Sequence, residues 1–148
     1  PTIIPLRSRA LSDRYGMRKD PFSKKKAFHG GLDFKAKRGT PVYAPADGIV
    51  RIASRKYGFG LLVELQHGRG FFPGKKKSVR YRTRFAHLSK IEVRRGQKIK
   101  RGDLVGLVGS TGRSTGPHLH YEIIINGRRT NPLITISKFN PDQRLYLR

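Results

Sequence analysis

The chain has 148 residues, 36% of them hydrophobic, with 33 Lys and Arg against 9 Asp and Glu, a formal net charge of +24. That length and apolar content suit one folded domain rather than a disordered chain, and the charge draws it to polyanions of any kind, nucleic acid and bacterial envelope polymers alike. With no cysteine, disulfides and thiolate metal sites are excluded, and with no apolar run of about 18 residues no membrane-spanning helix is expected.

Pro1 to Arg9 reads as an apolar, basic lead-in, and its opening on proline rather than methionine as the mark of a processed or excised piece. From Ser12 to Phe34, turn signals at Tyr15-Gly16 and Asp20-Pro21 precede a basic run and a short strand. Gly39 to Ala53 alternates and breaks at Pro45, and Gly60 to Gly68 reads as a strand. Gly68 to Ser78 reads as a long hairpin loop carrying Lys75, Lys76 and Lys77, which are either a solvated tip or a contact for an anionic surface of the cell wall. In Ser78 to Leu88, alternation assigns Val79, Tyr81, Thr83, Phe85 and His87 to one face and Arg80, Arg82 and Arg84 to the other. Gly102 to Gly112 is apolar and broken by glycine; His118 to Ile125 is the last long strand and ends in the turn pair Asn126-Gly127. No segment has a helical period, so residues 1–148 read as a single, mainly β domain.

Three stretches carry chemistry. In "STGPHLHYE" the residues His118 and His120 share a strand face, followed by Glu122, which is either a surface carboxylate or a residue that orients one of the histidines. In "HGGLD" a straight strand would hold His29 and Asp33 about 13 Å apart, too far to share one ion; Gly30-Gly31 lets the backbone bend and bring them together. The third is His87 in "FAHLSK", which alone reads as a core histidine. Together, four histidines and an aspartate exceed the three protein ligands of an open zinc site and leave two histidines for acid–base work. His67, the fifth histidine, reads as a strand-end residue.

"HGGLD", "FAHL" and "STGPHLHYE", in this order, resemble the H-x-x-x-D, A-H-L and H-x-H motifs of the lysostaphin/LytM-type zinc metallopeptidases, peptidase family M23. The flanks "YGMRKDPF", "GTPVYAPADGIV", "GQKIKRGDLVGLVGSTGRSTGPHLH" and "NGRRTNPL" agree, so the likeness runs from about Ser12 to Ile134, with residues 1–11 before it and a tail of residues 135–148 after it. The resemblance implies a compact antiparallel β-sheet domain with an open substrate groove. It implies one Zn2+ per chain held by His29, Asp33 and His120, with His118 and His87 as the catalytic pair. His118 is expected to serve as base, and His87, if protonated, to stabilise the oxyanion. Phe85 stands where many members have tyrosine, and Phe22 and Ser23 where some place another, so no phenol is expected to assist.

The expected activity is zinc-dependent endopeptidase cleavage of peptidoglycan peptide bridges, a zinc-activated water attacking the scissile carbonyl, with D-Ala to diaminopimelate crosslinks favoured over glycine bridges. The chain is then expected as a monomer in the periplasm, bound to the envelope or secreted, its basic surface meeting anionic envelope polymers. Two other readings compete. A non-catalytic LytM-like domain that binds the wall or regulates an amidase would more often lack some ligands. A basic polyanion- or nucleic-acid-binding protein would account for the charge but not for the histidines, and no specific nucleic-acid motif is present.

Overall fold

The computed structural model describes residues 11–13, 16–19, 26–72 and 74–131, with side chains from residue 30 onward. The lead-in, the Asp20-Pro21 turn, Phe22, Ser23 and the tail from 135 lie outside the described residues. The strands are β1 (Leu11–Asp13), β2 (Gly16–Lys19), β3 (Lys26–His29), β4 (Leu32–Lys35), β5 (Pro41–Tyr43), β6 (Gly48–Lys56), β7 (Gly60–Gly70), β8 (Val79–Leu88), β9 (Lys90–Ile91), β10 (Lys98–Ile99), β11 (Leu104–Leu107), β12 (His118–Ile125) and β13 (Arg128–Thr130). There is no helix among the described residues, and hence none long and apolar enough to cross a membrane.

One eight-stranded sheet runs β1-β4-β12-β8-β7-β6-β10 with β13 on β12; β5-β11-β9 form a second sheet, and β2 pairs with β3. Every pairing is antiparallel. Period-2 patterning fixes which way the large sheet faces. Leu119, Tyr121 and Ile123 of β12, Thr83 and Phe85 of β8 and Val63 and Leu65 of β7 are fully buried. All but Thr83 join one core with Val42 and Val105 of the small sheet. The intervening residues, His118, His120 and Glu122 on β12 and Arg82 and Arg84 on β8, lie on the opposite face, which forms the groove.

Turn chemistry shapes the connections. Gly39 to Ala53 is not one strand: β5 and β6 lie in different sheets, separated around Pro45, which has no amide hydrogen to donate to a ladder. Asn126 (φ 49°) and Gly127 (φ 79°) both adopt the left-handed conformation that a tight two-residue hairpin demands.

Candidate active site

Pairing of β12 with β4 sets His120 opposite Asp33. Their side chains meet: His120 Nδ1 lies 2.7 Å from Asp33 Oδ1, and His118 Nε2 lies 3.8 Å from the same oxygen. The strand that carries Asp33 begins after a break in the backbone at Gly30-Gly31. A side chain at Gly31 would strike the Tyr121 carbonyl, so β4 reaches this depth against β12 only because that residue is glycine; one at Gly30 would meet the movable Arg129 guanidinium. His29 ends β3 just before the break, its backbone paired with Gly16; its side chain lies outside the described residues.

His87 does not follow the alternation of its strand. Between Val63 and Leu61 of β7, the partner on β8 moves from Phe85 to Leu88, so one extra residue is inserted there. His87 sits in that bulge with φ 59°, and its amide donates to the Phe59 carbonyl at 2.7 Å. The bulge turns the imidazole from the Phe85 face to the groove, where its ring centroid is 4.8 Å from that of His118 and 5.9 Å from that of His120. The expectation that His87 shares the face of Phe85 is therefore corrected.

Hydrogen bonds assign the ring nitrogens. His87 Nδ1 donates to the Thr111 carbonyl at 2.7 Å, and His118 Nδ1 to the Gly116 carbonyl at 2.8 Å; a carbonyl only accepts, so in each neutral ring the lone pair is on Nε2. Burial pushes the His87 imidazole down to about 4, outweighing the Thr111 carbonyl, which favours its charged form.

His120 is set differently. Its Nε2 faces Glu122 Oε1 at 3.1 Å, so its two nitrogens are bracketed by two carboxylates. Burial disfavours its charged form, but the hydrogen bonds and charges of Asp33 and Glu122 win and raise it to about 9. Glu122 is fully buried, not a surface carboxylate. Burial penalises its charge too, yet His120, then Arg84 and Arg129, hold it below the usual glutamate range. Arg84 joins it to a second fully buried acid, Glu64: Arg84 Nε lies 2.6 Å from Glu64 and Arg84 Nη1 3.4 Å from Glu122.

Asp33, His87, His118, His120 and Glu122 thus meet on one sheet face. Among the described residues no three His, Asp or Glu side chains enclose a point fit for a metal ion. The donor chemistry nevertheless suits zinc: a carboxylate oxygen and an imidazole nitrogen converge, and the far side of that imidazole is held by another carboxylate. Lys75, Lys76 and Lys77 are exposed beyond the start of β8, while His87 is near its end, about 27 Å away along the strand. His67 is a structural residue: its ring bridges the Asp47 carbonyl (2.7 Å) and Thr83 Oγ1 (2.6 Å) and stacks on Tyr81. Sequence reading missed Thr111, whose carbonyl orients His87, and Glu64; neither belongs to a local pattern that marks such a role.

An antiparallel β domain thus gathers a carboxylate and three histidines on an open sheet face. The family profile described as "Peptidase family M23" matches residues 27–132. The chain belongs to that family, as its motifs imply. Over 113 residues it is 46% identical to the peptidoglycan DD-endopeptidase ShyA of Vibrio cholerae, covering 76% of this chain and 24% of that protein. It resembles the catalytic domain of the antimicrobial peptidase lysostaphin from Staphylococcus simulans (TM-score 0.70, 31% identity, 83% of this chain and 88% of that one). It also resembles a zinc containing peptidase from Vibrio cholerae (TM-score 0.64, 33% identity, 87% and 39%). The chain spans about a quarter of the length of the curated relatives it matches.

Proposed function

We propose that this chain is a zinc-dependent endopeptidase that cuts peptide crosslinks of bacterial peptidoglycan. The observation that carries the reading is the convergence of Asp33 and His120 Nδ1, 2.7 Å apart, beside two histidines whose Nδ1 atoms are already committed to backbone carbonyls. His29, Asp33 and His120 would hold one zinc ion, His120 giving up its Nδ1 proton to do so. Bound there, zinc supplies a Lewis acid that acidifies water and polarises a carbonyl.

The chain's own groups manage the proton. His118, with its Nε2 lone pair facing the Asp33 side, accepts the proton of the attacking water and delivers it to the leaving amine. His87 is kept neutral by burial, so its Nε2 accepts a hydrogen bond that orients the water; the charged oxyanion partner expected from sequence is not the role we assign to it. Glu122 fixes the ring of His120 by accepting from Nε2–H.

The likeness to a DD-endopeptidase supports D-Ala to diaminopimelate crosslinks as substrate and the cell envelope as the place of action. There the +24 charge would hold the protein against anionic envelope polymers. The test is digestion of purified peptidoglycan of both crosslink chemotypes by the zinc-loaded chain, with mass analysis of the fragments. Loss of D-Ala to diaminopimelate dimers is expected, and loss of both zinc and cleavage in His120→Ala. A His120→Ala protein that cuts like the parent overturns the zinc reading; cleavage confined to glycine bridges overturns the substrate.

A further inference from the structure

A second polar site lies on the same sheet face, beyond the histidines. Opposite residues on β12 and β8 are His120 with Ala86, Glu122 with Arg84, and Ile124 with Arg82. Four residues along β12 from His120, about 13 Å at strand spacing, the face opens into a cavity of about 390 Å3 whose lining includes Arg51, Arg80, Arg82, Gln66 and Asn126.

The arginines are organised from beneath. Glu64, fully buried, accepts from Arg51 at 3.1 Å and Arg82 at 3.4 Å on one oxygen and from Arg84 at 2.6 Å on the other. One carboxylate cannot neutralise three guanidiniums, and Arg84 is the one that also serves Glu122. The Arg80 guanidinium makes no hydrogen bond or ion pair among the described residues. The cavity therefore has excess positive charge, Arg51 and Arg82 held in place by Glu64, an uncommitted Arg80 and amide side chains at its edge, and no acid among its lining residues. Guanidiniums so fixed match a carboxylate, whose two oxygens accept paired N–H groups.

We propose that this cavity is a substrate subsite in which Arg51, Arg80 and Arg82 bind a carboxylate of the wall peptide while the peptide bond to be cut lies at the histidines about 13 Å away. The inference rests on the peptidase reading, because that reading supplies an extended, carboxylate-bearing peptide running along the groove. An extended peptide covers that distance in about four residues.

The test separates the two. Fluorescein-labelled crosslinked stem-peptide dimers are made with free carboxylates and as carboxamide twins, and their affinity for the full chain is measured by anisotropy in EDTA, where turnover plays no part. The carboxylate dimer is expected to bind about 10-fold more tightly than its twin. Arg80→Gln and Arg51→Gln should each remove most of that difference, whereas Lys90→Gln, the same charge change on the small sheet, should leave it. Equal affinity for the twins, or a preference that survives both arginine substitutions, overturns the subsite. Failure of the peptidase reading shows separately, as no cleavage of either dimer by the zinc-loaded parent. With cleavage present, Arg80→Gln should raise KM for the carboxylate dimer about 10-fold with kcat kept; an equal loss on the carboxamide twin counts against the subsite.

Discussion

Glu122→Gln tests the proposed zinc site through the residue behind His120. Glu122 Oε1 accepts from His120 Nε2 at 3.1 Å with the carboxylate fully buried. A hydrogen bond to a charged group is worth about 1.5–3 kcal/mol, and a neutral amide oxygen in the same place keeps roughly half of that. The loss of about 0.8–1.5 kcal/mol is up to about tenfold in zinc affinity, and Glu122→Ala should approach 100-fold. The fold should tolerate the isosteric change, because Arg84 keeps its 2.6 Å bond to Glu64, and Arg129, 3.7 Å from Glu122 with its side chain 44% exposed, can turn to water. Competition with a chromophoric chelator measures the affinity, and the urea midpoint of the metal-free protein monitors stability. If Glu122→Gln and Glu122→Ala both bind zinc within twofold of the parent while His120→Ala does not, Glu122 has no part in holding the ligand and the reasoning fails.

Three further outcomes follow from the same geometry. The Tyr121 hydroxyl is buried with no hydrogen-bond partner among the described residues, so Tyr121→Phe should raise the unfolding free energy by about 1 kcal/mol; a loss of that size would mean that the hydroxyl is bonded in solution. Burial lowers the His67 pKa from 6.5 to about 4, so the unfolded chain takes up a proton that the folded one refuses. The stability present above pH 6.5 should fall by up to about 3 kcal/mol as the pH drops towards 4, and His67→Gln should lack that part of the slope in urea midpoints; equal slopes refute it. Gly31→Ala drives a methyl into the Tyr121 carbonyl on a central strand, which should cost about 1–3 kcal/mol and weaken zinc binding by displacing Asp33; a variant with unchanged midpoint and affinity would show that β4 can shift freely.

Much of the site was legible because its central strand obeys a simple period. "HLHYEIII" gives β12 both its faces: Leu119, Tyr121 and Ile123 are buried in the core, and His118, His120 and Glu122 face the groove. His87 was misplaced for the same reason that β12 was read correctly. Counting by two assumes an unbroken ladder, and the bulge that turns His87 depends on β7 and on the Phe59 carbonyl, neither of which is near it in sequence. Glu64 was invisible because its burial is made by arginines from β6 and β8 lying over it. The basic loop joins β7 to the start of β8, whereas His87 lies near the end of β8.

The buried acids also bear on how so basic a protein could offer the proposed zinc site. With nine acids against 33 basic residues, the field over the groove opposes a divalent ion unless negative charge is placed locally. Asp33 and Glu122 bracket His120, and Arg84 lies on the far side of Glu122, so the carboxylate stands between the guanidinium and the ligand ring. Glu64 then draws Arg84, Arg82 and Arg51 towards itself and away from the histidines. The order Glu122, Arg84, Glu64, Arg82 alternates in sign along one sheet face. In the proposed reading Asp33 and Glu122 would favour a cation at one end of this face, and the arginines leave positive charge at the other.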